Sequence, residues 1–143
     1  SLRMENALQN SFDFDNENAA DTRAERRIME FVCADDRRQQ LPLLLSLMGH
    51  LSRTDDSRWL TCIGPAFFSK NDCLGYQVHW QRLLQVIPRS HESNVELAER
   101  ALAAGRSHTV VWLMASAPNE QTLRRLEKAA ALGDCQGLII HGR

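Results

Sequence analysis

The chain has 143 residues, 43% of them hydrophobic and 24% charged, which suits one domain with one core and is too short for two. A formal net charge of -1 excludes an overall basic field for holding nucleic acid or an anionic membrane. The apolar runs are only a few residues long, far below the roughly 20 that a membrane-crossing helix needs.

The opening SLRMENALQN lacks the apolar stretch of a secretory signal. Residues 1–24 are rich in Asn and Asp, with apolar residues scattered without period. They bury too little to offset their ordering entropy and read as a mobile tail ahead of a single domain over 25–143. RRIMEFVCA, from Arg26, suits a short strand. DDRRQQLPLLLSLMGHLS predicts a helix, with Pro42 in its first turn and Leu43, Leu44, Leu47, Met48 and Leu51 at helical spacing.

After the polar turn RTDDSR, WLTCIG has the form of a buried strand. NDCLGYQVHWQR reads as a weak helix interrupted by Gly75, and LLQVIP as a further strand closed by Pro88. SHESNVELAERALAAG is a well-marked helix: Ser93 with Glu96 forms a capping box, Leu97, Ala98, Ala101 and Leu102 form the apolar stripe, and Gly105 ends it. TVVWLMA is continuously apolar from Val110 to Ala115, as in a strand covered on both faces. APNEQTLRRLEKAAALGD repeats the helix grammar, with Asn119 as cap, Leu123, Leu126 and Ala130 as stripe and Gly133 as stop, and QGLIIHGR is the last strand. Strand and helix alternate to the end, which calls for an α/β fold: a mostly parallel sheet of about five strands flanked by helices.

Two features bear on chemistry. IGPAFFSKN, after the second strand, places Gly64 and Lys70 at the first and seventh positions of the phosphate-binding pattern G-x-x-x-x-G-K-[ST]. Ser69 replaces the second glycine, Asn71 replaces the Mg²⁺-binding hydroxyl, and Phe67 and Phe68 crowd the cradle, so the loop is a coincidence or the relic of a nucleotide site rather than a working one. The four cysteines (Cys33, Cys62, Cys73 and Cys135) form no C-x-x-C pair, which favours reduced thiols in a cytoplasmic protein. The five histidines show no metal-ligand spacing and read as surface or loop residues. No G-x-S-x-G elbow or Cys–base pairing is visible, so neither catalysis nor a metal or other cofactor is expected. Trp59, Phe67, Phe68, Tyr76 and Trp80 stand near Arg58 and Arg82 in loops, residue types enriched where proteins dock on proteins. In an open α/β sheet such a surface is expected at the carboxyl ends of the strands.

From about Arg26 to Gly142 the order of LPLLLSLMGHLS, SRW with Pro65 after it, RLLQVI, VELAERALAAG, VVWL and EKAAALGDCQGLII resembles the SulA family, the cell-division inhibitors of the bacterial DNA-damage (SOS) response. No single piece is diagnostic; their order and spacing carry the likeness. The resemblance implies a RecA-like fold without a functional P-loop, in line with a relic at Gly64 to Lys70. It further implies stoichiometric, non-catalytic binding to the tubulin-like GTPase FtsZ, which blocks polymerisation of the division ring near the T7 loop. Family positions linked to inhibition fall on Arg58, Ile63 and Arg82, and on the segment Ala101, Leu102, Ala103, Ala104, Gly105, Arg106 and Ser107. The family tail that helps the Lon protease recognise its substrate is not matched beyond HGR. An exposed edge strand would let two copies pair as a homodimer. The competing reading is a RecA-like nucleotide-binding or DNA-damage-tolerance accessory protein, which would use the Gly64 to Lys70 loop.

Overall fold

The computed structural model of the chain describes residues 26–33, 37–54, 56–64, 69–71, 73 and 75–142, with the backbone alone over 37–41. The tail expected over 1–24, Asp35 and Asp36, Pro65, and Phe67 with Phe68 lie outside the described residues.

Apolar strands and amphipathic helices alternate along the chain. The strands are β1 (Ile28–Cys33), β2 (Trp59–Ile63), β3 (Leu83–Val86), β4 (Ser107–Met114) and β5 (Gln136–Gly142), and the helices are α1 (Arg37–Ser52), α2 (Asn94–Ala104) and α3 (Glu120–Gly133). All five strands join one parallel sheet in the order β1-β5-β4-β2-β3. The crossover rule for parallel sheets sorts the connections by direction. Those running from β1 to β2 and from β2 to β3 cover one face, and those returning through α2 and α3 cover the other.

Two apolar layers result. Beneath α1, Leu44, Leu47, Met48 and Leu51 meet Phe31, Leu60, Cys62, Val111, Leu138 and Ile140. Beneath α2 and α3, Ala98, Leu102, Leu126 and Ala130 meet Ile63, Val110, Trp112 and Ile139. The central strand β4 is buried along its first six residues, which is why its sequence shows no polar alternation. Each fully buried large side chain of this kind contributes about 1.5–3 kcal/mol.

Local details depart from the sequence reading in four places. Pro42 lies inside α1 rather than in its first turn. Among the described residues of 71–82, the expected weak helix is instead turns ending in one 3₁₀ turn, Trp80–Arg82. Gly75 (φ 91°) and Gln77 (φ 56°) take left-handed conformations there. The carbonyls of Tyr76 and Gln77 accept from Arg53 Nη1, at 3.3 and 2.9 Å, so Arg53 holds the segment in place of helical bonds. Ser52 Oγ accepts from the His79 backbone N–H at 2.9 Å and ties it to the end of α1. Tyr76 and Trp80 are half-buried against the α1 layer and are not a free aromatic display. His108 and His141, expected at the surface, are buried in β4 and β5, because their rings find partners in Thr109 and Glu30.

The fourth departure is Gly133. The caps at Ser93 and Asn119 form as expected, and Gly105 takes the left-handed position after α2. After α3, however, Asp134 takes that position (φ 50°) and Gly133 remains helical. Gly133 is required by close approach: a Cβ there would run into the Leu102 carbonyl oxygen of α2 and sit 3.0 Å from Gly105 N. Alanine is favoured over glycine by about 1 kcal/mol at an ordinary helical position. Gly133→Ala is therefore expected to do the reverse, lowering the unfolding free energy in urea by about 1–3 kcal/mol as two backbones are forced apart.

Candidate functional site

Because the helices run opposite to the parallel strands, the carboxyl ends of all three helices and the amino ends of all five strands share one rim. Unpaired carbonyls make a helix carboxyl end negative, and that end favours cations. The sequence supplies them: Arg27, Arg58, Arg82 and Arg106 each stand immediately before a strand, β1, β2, β3 and β4 in turn.

Arg58 binds the rim together. Its Nη1 donates to the carbonyls of Gly133 (3.1 Å) and Gly105 (3.5 Å), at the ends of α3 and α2. Its Nε and Nη2 donate to the Asp56 carboxylate, with Nη2 to Oδ2 at 2.9 Å, and its backbone N–H donates to Asp56 Oδ1 at 2.9 Å. These hydrogen bonds hold the Asp56 carboxyl at about 2, well below its ordinary value, and push the Arg58 guanidinium upward. Next along the chain, the Trp59 N–H donates to the Arg106 carbonyl at 3.1 Å, and the Trp59 side chain is left 41% exposed.

The other arginines differ in how they are occupied. Arg27 Nη1 pairs with Asp134 at 2.9 Å, and its backbone N–H donates to Glu127 Oε1 at 2.7 Å, joining β1 to α3. Arg82 Nη1 donates to the Ser57 carbonyl at 2.6 Å, and the residue is exposed. Arg106 is exposed and, among the described residues, has no side-chain hydrogen bond or ion pair. Beside Arg27 and Arg58 lies an open cleft of about 330 Å³, lined also by His50, Asp56, His108 and Asp134 among others. His108 is held below its ordinary pKa by burial and shares a 2.9 Å hydrogen bond with Thr109 Oγ1.

The residues singled out in the sequence thus divide into two groups. Arg58, Arg82, Ala104, Gly105 and Arg106 meet on the rim, although Arg58 and Arg106 are far apart in sequence. Ile63, Leu102 and Ser107 are buried and offer no docking surface: Ile63 and Leu102 pack in the layer beneath α2 and α3, and the Ser107 hydroxyl is 2.6 Å from Thr61 Oγ1. Ala101 and Ala103 are half-buried along α2. The gathering is at the amino ends of the strands, not at the carboxyl ends where the sequence reading looked, because it follows the helix carboxyl ends. Asp56, Asp134 and Arg27 were missed; an arginine before each of four apolar runs was the legible signal.

At the opposite end, the Gly64 N–H donates to the Val86 carbonyl at 2.9 Å and its carbonyl accepts from Gln85 Nε2 at 2.9 Å. Both backbone groups are engaged by β3 and its side chain, and the described residues between Gly64 and β3 contain no α-helix whose amino end could face a phosphate. Burial raises the thiols of Cys62, to about 12, and of Cys135, so neither is a ready nucleophile. Among the described residues no group of three or more His, Cys, Asp or Glu is placed to hold a metal ion, and no helix is long and apolar enough to cross a membrane.

The family model described as "Cell division inhibitor SulA" matches residues 27–137. The chain belongs to the SulA family. A cell division inhibitor SulA of Pseudomonas aeruginosa is 36% identical over 103 residues, covering 70% of this chain and 62% of that relative, so the chain spans less than two thirds of the relative's length. The crystal structure of SulA from Pseudomonas aeruginosa superposes with a TM-score of 0.72 at 28% identity, covering 82% of this chain and 98% of the crystallised one. The SulA fold in this chain is therefore the five-stranded parallel α/β sheet described above.

The depressed Asp56 pKa fixes the sign of a pH dependence. A carboxylate with a folded-state pKa of about 2 and an ordinary value of 3.8 adds stability that is fully present above about pH 4 and is lost as pH falls through 2. The urea midpoint of the native protein is expected to exceed that of Asp56→Asn at pH 6, and the gap should close as both are titrated toward pH 2.

Proposed function

We propose that the chain inhibits cell division during the SOS response by binding FtsZ through the arginine-bearing rim and blocking its polymerisation. One observation carries the proposal: in a member of the SulA family, Arg58, Arg82 and the Gly105–Arg106 corner, distant in sequence, converge on one rim of the sheet. Exposed Arg82, Arg106 and Trp59 offer a basic and partly apolar knob to an acidic face of the partner near its T7 loop.

Such an inhibitor acts stoichiometrically and without a chemical step. A bound FtsZ subunit cannot accept the next one, and mass action lowers the pool available for assembly. Arg106 is the strongest candidate contact, because its guanidinium is exposed and, among the described residues, unengaged. Arg82 keeps donors to spare beyond its single bond to Ser57.

GTP-driven FtsZ assembly followed by light scattering tests this directly. Equimolar wild-type protein is expected to suppress the signal. Arg106→Glu and Arg82→Glu should each weaken suppression by about tenfold or more, as charge reversal at a docking surface does. Arg124→Glu, on the exposed side of α3, should leave it unchanged. Full suppression by both rim reversals would remove the rim from the interface. Millimolar MgATP is expected to leave the melting temperature unmoved; a rise would favour the nucleotide-binding reading.

A further inference from the structure

We infer that Asp56 is a positioning residue for the partner-binding surface: it touches no partner itself but holds Arg58 so that the Gly105–Arg106 corner and Trp59 present a fixed face. This role rests on the FtsZ-binding reading and adds to it the residue that keeps the surface in register. Nothing in the sequence pattern marks Asp56 except its place in the polar turn before SRW.

The geometry separates holding from touching. Every nitrogen of the Arg58 side chain already faces an acceptor within the protein: Nε and Nη2 face Asp56, and Nη1 faces the carbonyls of Gly133 and Gly105. A guanidinium committed in this way has little left to offer a partner. It does span three separate segments, the turn before β2 and the carboxyl ends of α2 and α3. Replace Asp56 by asparagine, and the guanidinium keeps the Oδ1 acceptor of Nε but loses its charge partner and the Oδ2 acceptor of Nη2, because an amide nitrogen cannot accept. The 3.5 Å tie from Arg58 to the Gly105 carbonyl is then less well oriented, which leaves more of the hold on this corner to the Trp59 N–H to Arg106 carbonyl bond. Asp56→Asn preserves the side-chain volume and the oxygen that accepts from the Arg58 backbone, so the change is confined to the carboxylate-to-guanidinium contacts.

FtsZ assembly with wild type, Asp56→Asn, Arg106→Glu and the double variant tests the assignment. Asp56→Asn is expected to inhibit about tenfold less, the size expected of a charge-assisted hydrogen bond. The double variant should inhibit no less than Arg106→Glu alone, because the two act through one corner. Amide hydrogen exchange supplies a readout that simple destabilisation would not give. In Asp56→Asn, exchange at the Trp59 amide should quicken by a larger factor than at Val110 and Val111 in β4, whose protection falls only with the global stability.

Failure of the wild-type protein to inhibit would reject the FtsZ reading and this role with it. An inhibiting wild type beside an equally potent Asp56→Asn, or losses that simply add in the double variant, would overturn the positioning role alone. If Asp56→Asn unfolds, Asp56→Glu takes its place: it retains the carboxylate, and inhibition near wild type supports the role, whereas a folded but inactive Asp56→Glu rejects it.

Discussion

A parallel sheet with right-handed crossovers imposes one electrostatic condition on this molecule. Its helices must run back against the strands, so the carboxyl ends of α1, α2 and α3 arrive together where the strands begin. Carbonyls without intrahelical partners collect there and require donors. Arg58 meets much of that need by donating to the ends of α2 and α3 at once, with Asp56 neutralising and orienting it. The rim that looks adapted for binding is first a solution to the termination of helices. Arg58 stands where it does because two helix ends there lack donors.

The same rim depends on close backbone contact between α2 and α3. Gly133 lets the two helix ends touch, the Cys135 thiol donates to the Leu102 carbonyl at 3.3 Å, and Leu102 fills the space beneath. The segment Ala101–Ser107 therefore serves two purposes along its length. Leu102 and Ser107 are inward and structural, whereas Ala104 and Arg106 face solvent. If the proposed binding holds, a substitution in this segment acts either on a contact or on the helix end that presents it, and the exposure of each residue tells which.

The likeness of Gly64 to Lys70 to a phosphate loop loses its force for a related reason. A phosphate-binding loop needs backbone N–H groups held away from the sheet and a following helix whose amino end adds positive potential. Here the Gly64 N–H closes onto β3, and the described chain beyond it crosses the α1 face in turns pinned by Arg53 and Ser52. The glycine is still needed, since its φ of 124° suits no other residue, but the need comes from the turn and not from an anion.

The sequence by itself determined the elements and the class: the apolar runs, the caps at Ser93 and Asn119 and the stop at Gly105 are local features, and each formed where its residues demanded. Burial of β4 on both faces was equally plain, because an unbroken apolar run admits no solvated side. Local pattern failed where long-range contact overrode it. The 71–82 segment has helical composition, yet Arg53, from another element, captures its carbonyls. Gly133 reads as a stop, yet its small size is required by a neighbour about thirty residues away. Ile63 shares a strand with rim residues but points into the core at the other end. Only tertiary structure decided that Arg58, Arg82 and Arg106 form one surface and that Asp56 belongs with them. Strand order and crossover direction bring these residues together, and no spacing within a single element encodes either.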